Sequence, residues 1–162
     1  MWPILLTLIA HAPLAAEPLP LPCGEVVLVI DGAIAHTNID GEARFDLAML
    51  QGLPAHAFTT DTPWHEGPQR FEGVLLSALL ERVGAASSSF QAEAVDDYTA
   101  TFSGIDLKRY PVIVAYRHGG EPMTRRRLGP LRIVMPFDDH PSLRTYVGEA
   151  LSVWQLLRMR VL

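Results

Sequence analysis

The chain has 162 residues and a formal net charge of −5, with 49% of its residues hydrophobic and 19% charged. These values fit one globular domain whose own core suffices without disulfide or metal staples. The acidic balance, the scattered arginines and a single lysine, Lys108, exclude the basic face that a nucleic-acid binder needs.

Trp2 to Ala10 is apolar except for Pro3 and Thr7, small residues follow at Ala12, Ala15 and Ala16, and Glu17 opens a polar stretch. This is the order of a secretion signal cut after Ala16, although no Lys or Arg precedes the apolar run. The other reading is an apolar strand or helix packed on the domain. The run is too short to cross a bilayer. The expected organisation is a signal peptide over 1–16, a linker over 17–24 and one domain over 25–162. The mature chain would be periplasmic and would carry no membrane span. Cys23 is the only cysteine, so no internal disulfide can form. Pro22 before it is a poor residue for a lipoprotein cleavage site, which leaves Cys23 a free thiol.

The alternate prolines of Glu17 to Pro22 predict an extended leader. Val26 to Ile30 reads as a strand. Asp31-Gly32 then predicts a hairpin turn into a second strand over Ala33 to Thr37. Asp40-Gly41 repeats the turn chemistry before a short strand over Ala43 to Phe45. Asp46 is a candidate N-cap for a short helix over Leu47 to Leu50, stopped by Gly52 and Pro54. Ala57 to Thr60 reads as a strand, and Thr62 to Pro68 as a loop. Val74 to Val83 is the clearest helix, with Leu75, Leu79 and Leu80 on its buried face and Gly84 ending it. Strand-like alternation runs from Phe90 to Phe102, broken at Asp96-Asp97. Val112 to Tyr116 and Leu131 to Met135 read as buried strands, with a Gly119-Gly120 hairpin between them. Val153 to Val161 fits helix or strand. Many strands with two or three short helices indicate an α+β fold.

Several landmarks occur in a fixed order: Gly32, the Thr60-to-Trp64 loop, Gly73 before a Leu-Leu helix, and Asp97-Tyr98. Ala115-Tyr116, Gly119-Gly120, Pro122-Met123 and Gly129-Pro130-Leu131-Arg132 follow, leading to Pro136. In this the chain resembles the oxidoreductase molybdopterin-binding domain of the sulfite oxidase superfamily, and most closely its small bacterial periplasmic members. The resemblance runs from about Glu25 to Val161. It implies a sulfite-oxidase-type molybdopterin-binding fold, α+β, with mixed β-sheets, a β-grasp-like element and a few short helices. It also implies molybdopterin as a cofactor. In catalytic relatives a cysteine four residues before a tryptophan holds the molybdenum. Here the tryptophan is Trp64 and the matching position is Thr60. A threonine hydroxyl is a much poorer ligand than a thiolate near neutral pH. The relatives' longer N-terminal segment, which contributes pterin contacts, has no counterpart before the first hairpin.

The loop Thr59 to Gly67 is dense in polar side chains beside one aromatic. It reads either as a binding loop, with Thr60, Thr62 and Trp64 aimed at a ligand, or as a structural turn with Trp64 plugging the core. Arg125 and Arg126 read as a solvated charge run. Arg127 and Arg132, near the Gly-Pro corner, are candidates to grip an anion. Tyr98 is a pocket edge or a core residue. Asp138-Asp139-His140 offers too few ligands for a metal site, and His36, His56, His65 and His118 lack zinc spacing. The expected cofactor-binding set is therefore Thr60, Thr62, Trp64, Tyr98, Arg127 and Arg132, converging on one cleft with no metal ligands. Two functions are open. One is a non-catalytic sensor or adaptor that binds a small anionic ligand or a periplasmic or membrane partner protein. The other is a molybdopterin-dependent oxidoreductase with atypical ligation.

Overall fold

In the computed structural model, which describes residues 18–162, alternating apolar residues build two five-stranded sheets. The expected signal segment lies outside the described residues. The first sheet has the order β2 (Ala43–Asp46), β1 (Val26–Gly32), β10 (Leu156–Val161), β5 (Phe90–Ala94), β6 (Thr99–Phe102). Only the β1–β10 pair is parallel. The second runs β3 (Ala55–Thr60), β4 (Gln69–Leu75), β7 (Ile113–His118), β8 (Glu121–Pro122), with β9 (Arg132–Val134) also paired to β7. Three short helices complete the order: α1 (Leu47–Gln51), α2 (Leu76–Arg82) and α3 (Tyr146–Ala150).

The second sheet is apolar on both faces. Val114 and Ile133 join the main core with Leu28, Ile30, Phe45, Leu79 and Phe102. On the opposite face Phe58, Phe71, Ile113, Ala115, Met123 and Val134 form a smaller cluster. Strand alternation puts Arg132, opposite Ala115 in the ladder, on that second face. The described part of the leader, residues 18–22, forms no helix or strand and is seated on the domain. Leu19 is buried, and the N–H groups of Cys23 and Gly24 donate to Asp46. Asp46 also caps α1 by accepting from the Met49 N–H at 2.8 Å. Cys23 is an exposed free thiol.

The expected hairpin at Asp31-Gly32 does not form, and Ala33 to Thr37 is not a strand. Asp31 and Gly32 continue β1, paired with Arg160 and Val161 of β10. Arg158 and Arg160 both bond the buried Asp31 carboxylate, so long-range ion pairs override the local turn preference. Gly32 is required there, because a Cβ would lie 2.2 Å from the Val161 carbonyl oxygen. A second correction concerns the leucine helix. Leu75 ends β4 and packs towards the smaller cluster, whereas α2 buries Leu76, Leu79 and Leu80. Within Val153 to Val161, Leu156–Val161 forms strand β10 and the rest is irregular.

Candidate functional site

β3 delivers Thr60 to the end of its strand, and β4 begins at Gln69 after an irregular loop. Thr60 has no exposed surface. Its hydroxyl accepts from the Asp138 N–H at 3.1 Å and donates to the Asp61 carbonyl at 3.2 Å. The Asp61 N–H donates to the Asp138 carboxylate at 2.8 Å, and Arg144 pairs with the same carboxylate at 2.6 Å. Thr60 and Asp138 therefore clamp the loop to the segment after β9. The hydroxyl is thus held in a structural role, and as a neutral oxygen it is a much poorer metal ligand than a thiolate. Among the described residues no group of three or more His, Cys, Asp or Glu side chains is placed to hold a metal ion. Molybdenum held by a protein thiolate does not fit these residues.

The other polar residues divide into two neighbouring places. The first is basic. Arg132 opens β9 and is only 1% exposed. Its guanidinium lies 5.0 Å from the Phe71 ring centroid and 5.6 Å from that of Trp154. Neither Nε nor Nη1 has a hydrogen-bond partner, and the buried Nε1 of Trp154 also lacks one. Among the described residues, these three donors are the buried side-chain polar atoms left unsatisfied. Buried donors are normally paired, so these three mark a place that an added acceptor would stabilise. Burial lowers the Arg132 pKa to about 10, which still leaves it charged at neutral pH. That shift corresponds to roughly 3 kcal/mol held against the charged form.

Two histidines flank this arginine. Phe71 faces His118 across the β4–β7 ladder, and their rings stack at 4.6 Å. His118 Nε2 lies 2.7 Å from the Gln69 amide oxygen, which can only accept, so Nε2 carries the proton. His65 meets His118 edge-on at 5.0 Å, and its Nδ1 lies 2.8 Å from the Thr62 hydroxyl. Burial first, then the charge of Arg132, lowers the His65 pKa. Burial, then His65, Arg132 and Arg127, lowers that of His118. Arg127 is exposed, on a 3-10 turn over Arg125–Arg127.

The second place is a cleft of about 270 Å³ lined by Trp64, Tyr98, Trp154, Asp96 and Glu149 among others. Trp64 packs edge-on against Trp154 at 5.0 Å. The structure thus brings Trp64 and Tyr98 together, and links them to Arg132 through Trp154. Thr60 and the two expected arginines do not line this cleft. Asp96 and Glu149 make its lining acidic, so the single arginine-lined cleft expected from the sequence is replaced by a buried basic cluster around Arg132 and a separate acidic cleft, with Trp154 common to both. Trp154, Gln69 and the His65–His118 pair were not expected at the site. The histidines stand far apart in sequence, and only the β4–β7 pairing reveals their neighbourhood.

The sequence profile of the oxidoreductase molybdopterin binding domain matches residues 36–137. The fold is similar to that of the sulfane dehydrogenase SoxCD from Paracoccus pantotrophus, with a TM-score of 0.60 at 19% identity. That likeness covers 83% of this chain and 37% of that one, so the chain spans little more than a third of its structural relative. No curated protein matches the chain significantly. The α+β architecture of mixed sheets and few short helices expected from the resemblance is the one observed.

Proposed function

Because this chain belongs to the oxidoreductase molybdopterin binding domain family, we propose that it is a non-catalytic member of it, which binds a small oxyanion against Arg132. The observation that carries this reading is the buried guanidinium whose Nε and Nη1 have no partner, beside the unpartnered Trp154 Nε1. A tetrahedral oxyanion would supply acceptors to all three and neutralise a charge held in low dielectric. His65 and His118 both feel the charge of Arg132. The one N–H of neutral His118 is held by Gln69, whereas neutral His65 could offer its Nε2–H when its Nδ1 accepts from the Thr62 hydroxyl. Arg127 would steer the anion from outside. Sulfate, phosphate and the phosphate of a pterin share this chemistry.

Thr60 supports the non-catalytic half of the proposal. It stands where catalytic relatives place the metal-binding cysteine, and its hydroxyl is spent on the Asp138 and Asp61 backbone. The apolar N-terminus ending in Ala15-Ala16 supports export to the periplasm. Among the described residues no helix is long and apolar enough to cross a membrane. The proposal is tested by metal analysis of the natively produced protein, together with calorimetric titration with sodium sulfate. Absence of molybdenum with saturable sulfate binding is expected. One molybdenum per chain would overturn the non-catalytic reading, and no sulfate or phosphate binding would overturn the anion site. N-terminal sequencing of the same material should begin at Glu17.

A further inference from the structure

The cleft shared by Trp64, Tyr98 and Trp154 has a chemistry opposite to that of the buried cluster around Arg132. Trp64 and Trp154 meet at 86°, so the indoles present differently oriented π-surfaces to one small volume. Tyr98 is fixed beside them, its hydroxyl donating to the Ala150 carbonyl at 2.6 Å and its N–H donating to the Asp96 carboxylate at 3.2 Å. Asp96 and Glu149 add two carboxylates to the lining. Among the described residues neither forms an ion pair, whereas Asp31, Asp40, Glu42, Glu72 and Asp138 each have an arginine partner. Trp64 is 37% exposed and Tyr98 45%, so the aromatic wall is open to a ligand from solvent.

Aromatic faces and carboxylates both attract positive charge, and together they favour weakly hydrated cations over metal ions. Hard metal ions want more oxygen ligands than two carboxylates supply. At about 270 Å³ the cleft lies just below the usual range for drug-sized ligands, roughly 300–1,000 Å³. It suits one ammonium or guanidinium head rather than an extended cofactor.

We propose that this cleft binds an organic cation, an ammonium or guanidinium group, carried by a free small molecule or by a side chain of a partner protein. This does not depend on the anion site. The two places are joined by the chain step from Trp64 to His65 and by Trp154, which the Arg132 charge approaches to 5.6 Å. That charge opposes a cation in the cleft, so an anion on Arg132 would strengthen cation binding.

The test is a titration of the full chain, followed by the indole N–H resonances of Trp64 and Trp154. The probes are choline, its uncharged isostere 3,3-dimethylbutan-1-ol, and N-acetylarginine methylamide. Choline is expected to bind at least about tenfold more tightly than the isostere. The double variant Asp96→Asn/Glu149→Gln keeps an acceptor for the Tyr98 N–H and should lose most of that preference. Its sulfate binding and thermal melt should stay near those of the parent. Tighter binding of the arginine derivative than of choline assigns the cation to a partner side chain, and the reverse order assigns it to a free ammonium compound. Equal affinity for choline and its isostere, no response to any probe, or a double variant that binds choline like the parent would overturn the proposal.

Discussion

The Arg132 guanidinium sits 5.6 Å from the centre of the Trp154 ring, and both side chains hold buried N–H donors with no acceptor. A charge and an indole that satisfy neither each other nor a backbone carbonyl cost stability unless something else binds them.

Arg132→Met should therefore raise the stability of the ligand-free protein by about 1–4 kcal/mol, because a flexible apolar side chain replaces an uncompensated buried charge. The same variant should lose the stabilisation that added sulfate gives the parent. Thermal melts of both proteins, with and without sulfate, measure both effects. A variant that is destabilised and still responds to sulfate would contradict this.

Depressed histidine pKa values have a defined sign. Below the unfolded value of 6.5 the unfolded chain takes up protons that folded His65 and His118 resist. Their contribution to stability is complete above that value and is lost as pH falls through the lowered folded values. This loss precedes that from Glu42, which hydrogen bonds from Arg44 and Arg158 hold below 4.5. Sulfate on Arg132 would offset part of the positive charge and raise both histidine pKa values. Its affinity should therefore grow as pH falls below 6.5, with proton uptake seen by calorimetry in buffers of different ionisation enthalpy.

Thr60→Val removes a buried hydroxyl that accepts from the Asp138 N–H and donates to the Asp61 carbonyl. The side chain keeps its shape, but two backbone groups lose their partner. A cost of about 1–3 kcal/mol in denaturant titration is expected, with faster hydrogen exchange at Asp138. A silent substitution would mean that the loop is held by Arg144 and Asp138 alone.

Gly73→Ala should be poorly tolerated. The β4–β7 register shifts between Glu72 and Gly73, and a Cβ at residue 73 would stand 2.0 Å from the Val114 carbonyl oxygen and 2.6 Å from the Ala115 Cα. The strands would have to part just where Phe71 is held against His118. A loss of at least about 1–3 kcal/mol is expected, together with weaker sulfate binding. An unchanged melt would show that the ladder can widen without cost.

Local chemistry made much of this fold legible. Asp46 caps α1, and Gly84 takes the positive φ that follows α2. The Gly119-Gly120 turn joins β7 to β8. What failed was set by distant partners. Asp31-Gly32 has turn chemistry, but Arg158 and Arg160, over a hundred residues later, hold it in a strand. Gln69 to Leu75 lacks clean alternation around Gly73, so Gln69 to Gly73 carries no readable element, and Val74 and Leu75 continue the spacing of the helix that follows. The five residues of α3, capped by Thr145, are too few to show a period. At the site, the Gly-Pro corner marked Arg132, but nothing local marks an arginine as buried and unpaired. Trp154 lies in a segment whose sequence fits helix or strand equally.

The most direct test of the anion site is the Trp154 indole N–H resonance during titration with sodium sulfate, with sodium chloride holding the ionic strength constant. The account predicts a saturable downfield shift in the parent protein as that N–H gains an acceptor, and its loss in Arg132→Met. An indole resonance that does not move with sulfate, or moves equally in the variant, would contradict it.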